Sequence, residues 1–267
     1  MIGGIKVQPW HQCNKVSPVV TATQTGSGIH NGMVLTVKVV TGADVTQVGP
    51  GSYSYMFMPG TTGSGSAYTP AEVTITPAGT GSWVYGAANR TDTATAWTAD
   101  GQSTFSQNVA DSANSATYGT FRSTGTTTTG TPITTGATNG DGTSGGGVAV
   151  LEVLAAGTLA EDASSPAPVS ATSATSVSTA RFTPPMGALL VAQVATAGTN
   201  VSIAITDDNG DLAWVEQVRW GGFSAPVNSG PNYGGSASGL SGGTGTWASQ
   251  SNATGAPDGS CAVWTVV

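Results

Sequence analysis

The chain has 267 residues, including 39 Gly, 14 Pro, 7 Lys plus Arg, 14 Asp plus Glu, two His and two Cys, and only 8% of it is charged, against roughly 25% in ordinary globular domains. Gly and Pro, at about a fifth of the chain, exclude an all-helical protein because neither residue is tolerated inside helices. A hydrophobic fraction of 38% is too apolar for a solvated coil, so a mostly β fold is expected. The net charge of −7 leaves no basic surface for phosphate contacts, which excludes nucleic-acid binding. The longest apolar runs, Met33 to Val40 and Gly187 to Ala197, fall short of the roughly 18 residues of a membrane helix, so no membrane insertion is expected.

Residues 1–16 form an arm with Ile2, Ile5, Val7, Trp10 and Val16. That is apolar surface without a domain of its own, and such a segment frays unless docked on something. The arm shows no charged region followed by an apolar one, so no secretory signal is read and folding in a cytosol is expected. Cys13 and Cys261 then read as two free thiols.

Beyond the arm, alternation replaces helical period. Val34, Thr36, Lys38 and Val40 interleave with Leu35, Val37 and Val39; Val73 and Ile75 with Thr74 and Thr76; Val201, Ile203 and Ile205 with Ser202, Ala204 and Thr206. These spacings predict half-buried strands separated by Gly, Ser, Thr, Asn and Asp turns. A short helix is placed around Gln107 to Ala113, and Thr124 to Gly130 reads as a loop or strand edge. Small residues and prolines from Ala155 to Thr179 read initially as a linker.

Three blocks recur in order on either side of that stretch. Gly32 to Thr41 matches Gly187 to Thr196; Val73 to Thr76 with Trp83-Val84 matches Ile203 to Thr206 with Trp214-Val215; Gly147 to Val153 matches Ser260 to Val266. The expectation is all-β: two tandem antiparallel β-sandwich domains, jelly-roll-like, at 17–157 and 167–267, joined by a linker at 158–166. Trp83 and Trp214 should then be buried at equivalent sites.

Chemistry-bearing residues are few. Asp207-Asp208-Asn209-Gly210-Asp211 has oxygen ligands suited to calcium, but its glycine falls at the wrong place of the loop pattern and no acid closes it. Asn209-Gly210 reads better as a two-residue hairpin turn. His11 and His30 lie in no nucleophile-elbow or metal-ligand spacing, and most acids sit beside Gly or Asn in turns. No catalytic residue, metal or cofactor is expected. Trp83, Trp214 and Trp264 read as core. Trp10, Trp97, Trp220 and Trp247, with Phe223 beside Trp220, sit in loop-like surroundings and are the ligand or interface candidates, because exposed aromatics stack on sugars and anchor protein contacts. For any one of them, packing under a long loop is the favoured reading. The Asn89, Asn200 and Asn252 sequons are expected by chance in so Ser- and Thr-rich a chain.

Phe182-Thr183-Pro184-Pro185-Met186-Gly187 running into Ala188-Leu189-Leu190-Val191, Ile205-Thr206-Asp207 leading to Leu212-Ala213-Trp214, and Ala262-Val263-Trp264-Thr265 resemble a domain recurrent in minor tail proteins of long-tailed bacteriophages infecting actinobacteria. The first segment is similar through Ser82 to Ala87, Tyr118 to Arg122 and Gly145 to Val153, with Ile29-His30-Asn31-Gly32 in place of the Pro-Pro entry. The resemblance implies a non-enzymatic virion component at the distal tail, assembled in the host cytoplasm, homo-oligomeric, and partnered by other phage tail proteins and by a host-surface glycan. A tandem carbohydrate-binding module of a secreted or surface protein is the alternative, and a glycan hydrolase the third reading.

Overall fold

A computed structural model describes residues 17–25, 32–45, 52–58, 71–91, 94–137, 146–196, 202–208, 214–221 and 260–266. All regular structure among them is strand, as the composition dictates. In chain order these are β1 (Val20–Thr25), β2 (Met33–Ala43), β3 (Tyr53–Met58), β4 (Ala71–Ile75), β5 (Trp83–Thr91), β6 (Ser103–Asp111), β7 (Ala116–Ser123) and β8 (Ile133–Ala137), then β9 (Gly146–Val153), β10 (Ala155–Glu161), β11 (Val169–Ala171), β12 (Ser176–Ser178), β13 (Leu189–Thr196), β14 (Ser202–Asp207), β15 (Val215–Gly221) and β16 (Ser260–Val266).

They form four sheets. A six-stranded sheet runs β10-β2-β13-β16-β15, with β11 following β10 along the same edge of β2; a five-stranded sheet runs β3-β9-β5-β7-β6. Between these two lies a core of Val34, Tyr85, Ala87, Leu151, Val191 and neighbours. The three-stranded sheet β12-β1-β14 covers the other face of the six-stranded sheet over Leu35, Val37, Leu190 and Val194. The pair β4-β8 covers the other face of the five-stranded sheet over Val84, Phe121, Val148 and Val150. The inner strands β2, β13, β5, β7 and β9 are thus buried on both faces.

That stacking corrects the half-buried reading of residues 33–40. Side chains alternate across a strand, so Val34 and Val40 enter one core and Leu35, Val37 and Val39 another. Polar members of the central strands need partners in the interior. Thr36 and Thr120 hydroxyls meet at 2.6 Å across the central interface. Gln193 Nε2 donates to the Gly86 and Phe121 carbonyls at 2.5 and 2.6 Å.

Pairing also joins the segments that the sequence pattern separates. β2 pairs antiparallel with β13 along its length, from Leu189 opposite Val40 to Thr196 opposite Met33. β9 lies between β3 and β5, whereas its counterpart in the repeat, β16, lies between β13 and β15 in the other sheet. Trp83 packs on the central core and Trp214 on the core under the three-stranded sheet, both half-buried, so their sites are not equivalent. The stretch read as a linker supplies β10, β11 and β12, which pair with β2 and β1. In place of a helix at Gln107 to Ala113 stands the edge strand β6, with a bulge between Phe105 and Gln107. That bulge interrupts the alternation by which a strand is recognised.

The outer edge of the six-stranded sheet is broken by a wide bulge. Between Ala155 and Ala160, β10 slips relative to β2, and Gly42 turns at φ +74° beneath it. Irregular edges of this kind block sheet-to-sheet aggregation.

Candidate functional site

The register fixes which strand ends lie together. Lys38 on β2 and Glu161 on β10 meet Tyr85 and Arg122 at one level of the central interface. Gln193, opposite Thr36, meets Gly86 and Phe121 at the next. The Tyr118 hydroxyl reaches the Ala171 carbonyl, and Ala171 lies opposite Met33. Tyr118 is paired with Asn89 and Asn89 with Gly147. So the Met33 end of β2, the Thr196 end of β13 and the Ser260 end of β16 share one end of the stack with the Thr91 end of β5 and the Gly146 end of β9.

At this end the described rim is the turn 112–115 and the segment 172–175, in which Ser112, Ala113, Ser115, Thr172, Ser173 and Thr175 are exposed. A buried brace holds the two together. The single Tyr118 O–H is shared between Asp111 Oδ2 at 2.9 Å and the Ala171 carbonyl at 3.1 Å. Burial first, then the bond to Asp111 and its charge, pushes the phenol well above its ordinary range, so it stays a proton donor. Asn114 Nδ2 donates to Asp111 Oδ2 at 2.7 Å and to the Thr172 carbonyl at 2.5 Å, while Ser115 takes φ 47° to close the turn. Sequence reasoning missed this brace. Asp111-Ser112-Ala113-Asn114-Ser115 carried a turn signal, which the helical reading overrode.

The opposite end holds charge. Glu161 pairs with Lys38 at 2.8 Å and Arg122 at 3.0 Å, and the Arg122 guanidinium lies 4.5 Å over the Trp83 ring. Burial, then the nearby Glu161 charge, pushes the Tyr85 phenol up. Glu152, fully buried, accepts the Ala78 and Gly79 N–H groups at 2.8 and 2.9 Å. Arg181 bridges Asp208 and the Ser17 carbonyl. The Val19 N–H at 2.9 Å is the main cause that holds the Asp208 carboxyl below its usual range, with Arg181 adding to it. Elsewhere, burial and then the Asp100 charge push Glu72 up. Asp100 is occupied as a turn cap, with Oδ1 accepting the Gln102 N–H at 3.2 Å. No group of three His, Cys, Asp or Glu suited to a metal ion occurs among the described residues.

Of the aromatic candidates, Trp97 is core. It is 5% exposed, sits 6.0 Å from the Phe105 ring, and has its backbone clamped by the Asn108 amide at 3.2 and 2.6 Å. For this residue the structure shows packing under a loop and not an exposed contact: the 94–98 segment folds back over β6. Trp220 lies on β15 opposite Cys261. Trp10, Phe223 and Trp247 lie outside the described residues, as do Cys13, His11, His30 and the Asn209-Gly210 turn. Asn89 is 1% exposed, closed to glycosylation in the folded chain.

No protein-family model, curated protein or solved structure matches this chain. The site therefore rests on its own geometry: two ends of a β-stack, one charged, one hydroxyl-rich.

Proposed function

We propose that the chain is a structural, non-enzymatic component of a bacteriophage tail that presents one end of its β-stack to the host surface. The observation that carries this reading is the polarity of the stack. Ser17, where the arm joins, hydrogen-bonds at the charged end, and Val266, opposite Leu190, lies there too. The hydroxyl-rich end faces away from both. An anchor at one end and a contact face at the other suit a tail component that holds neighbours and reaches outward. The motifs that resemble minor tail proteins support the same setting, and the arm's apolar residues suit docking on a neighbouring copy or tail protein.

The hydroxyl-rich end also suits a carbohydrate-binding module of a secreted or surface protein. Location separates the two readings. The tail reading expects the chain in purified particles, at the distal tail by immunogold labelling, and expects deletion of residues 1–16 to preserve the unfolding transition while abolishing incorporation. Absence from particles, or normal incorporation of the truncated chain, overturns it.

A further inference from the structure

We infer that the outer edge of β14 docks a second copy of this chain, paired antiparallel across a two-fold axis centred on Ala204; this goes beyond the tail reading and does not rest on it. β14 ends the three-stranded sheet, and among the described residues β1 is its only strand partner. The register shows which backbone groups are left over. The Thr179 N–H reaches the Val20 carbonyl and the Gln24 N–H the Thr175 carbonyl, so Val20, Ala22 and Gln24 turn their backbone groups towards β12. The Asp208 N–H reaches the Val19 carbonyl, so Thr21 and Thr23 turn theirs towards β14. Thr21 lies opposite Thr206 and Thr23 opposite Ala204. Thr206 and Ala204 therefore bond to β1, and Ile203 and Ile205 aim their N–H and C=O groups out of the sheet. Such a row is a template for another strand.

Other edges of the fold are blunted: β10, β6 and β15 carry register shifts, and β12 has three residues. β14 has none of these devices. It holds six consecutive pairs with β1 without a shift, and it contains no Pro and no charge before Asp207. Its sequence says which strand fits. Ser202-Ile203-Ala204-Ile205-Thr206 reads nearly the same in both directions about Ala204, as a strand must that meets its own copy across a two-fold axis. In that register Ile203 faces the partner's Ile205 and Ile205 the partner's Ile203. These are the residues with outward backbone groups, so both pairs are of the hydrogen-bonded kind and exchange both bonds. Ala204 meets the partner's Ala204 in the closer, non-hydrogen-bonded position. Ile203 and Ile205 pack on the core under the three-stranded sheet, Ile205 only half-buried, and the partner's Ile203 extends that apolar row beside it. Charge permits the approach: Asp207 and Asp208 sit at one end of each strand, hence at opposite ends of the pair, and no like charges face each other. The ladder of the three-stranded sheet then continues into a six-stranded one bounded by two short β12 strands, which closes the assembly at two copies.

The test uses the full chain. One short edge is small beside the roughly 1,200–2,000 Å² of stable interfaces, so sedimentation should show monomer at about 10 µM and dimer approaching about 1 mM. Ala204→Cys, at an exposed position, should then form a disulfide-linked dimer under mild oxidation, because opposed residues of a non-hydrogen-bonded pair have Cα atoms about 4.5 Å apart, within disulfide reach. Thr206→Cys is the control. In the same register the two copies of that position lie four residues apart along the strands, about 14 Å, and should link at least about tenfold less than Ala204→Cys. Peptide mapping of the linked species separates this bridge from any through Cys13 or Cys261. Ile205→Pro removes an N–H that points away from β1, a place where an edge strand accepts proline, and should leave a folded chain that stays monomeric at about 1 mM. No bridge from Ala204→Cys, equal bridging from Thr206→Cys, or a folded Ile205→Pro chain that still dimerises overturns the inference. Should Ile205→Pro fail to fold, the two cysteine variants decide alone.

Discussion

Val34→Asp and Leu35→Asp are each expected to unfold the protein, although the two side chains point in opposite directions. Both residues are fully buried, Val34 in the core between the two large sheets and Leu35 in the core beneath the three-stranded sheet. An unpaired carboxylate in such a place costs several kcal/mol, and about 3–5 kcal/mol is a large part of a total stability of about 5–15 kcal/mol. A strand with one solvated face would accept one of the two changes nearly for free. Urea unfolding followed by tryptophan fluorescence checks this: loss of the folded baseline in both variants is expected, and a wild-type midpoint in either one contradicts the four-layer stack.

Gly42→Ala carries the second large effect. Gly42 holds φ +74°, a conformation that costs an L-residue about 1 kcal/mol or more. An added Cβ would also run into the Thr158 carbonyl oxygen, a backbone atom that can move only if the bulged strand moves with it. Leu159 sits on that bulge with its side chain in the central core, so displacing Thr158 pulls a packed residue out. A loss of about 2–4 kcal/mol is expected from strain and unpacking together. Gly157→Ala is the control, because its added Cβ meets nothing within 4 Å; it should leave the midpoint within about 0.5 kcal/mol of wild type. Equal behaviour of the two variants would show that β10 does not lie against β2 as described.

The strands were legible because burial writes itself into alternation and apolar runs; the partners were not. Residues 32–41 and 187–196 look alike, and duplication is one cause of likeness. The pairing offers another: β2 and β13 are neighbours in one sheet, buried on both faces, and such strands are drawn from the same apolar and β-branched residues. Likeness of environment and likeness of descent leave the same mark. The Ala155 to Thr179 stretch was misread for the opposite reason. β10, β11 and β12 are edge strands with exposed faces, so they need backbone partners more than packing area, and small residues suffice. Of the aromatic candidates, Trp97 follows the packing reading, and what buries it is a segment folding back over β6, a tertiary event without local signature. The hydroxyl-rich rim was legible only as composition. Its unity comes from register, through Tyr118, Ala171 and Met33, which no local pattern records.

The most direct measurement is a set of methyl–methyl nuclear Overhauser effects on the full chain with labelled Val, Leu and Ala. Val39 lies opposite Leu190, Leu35 opposite Val194 and Val37 opposite Ala192, and all six side chains line the same core. Cross-peaks for these three pairs are predicted, because directly opposed residues in an antiparallel ladder hold their side chains about 4.5–5.5 Å apart at Cβ. Their absence, with Leu35 and Val37 connected only to residues before 158 and Leu190 and Val194 only to residues after 166, would restore two separate sandwiches and remove the shared stack on which the two-ended design depends.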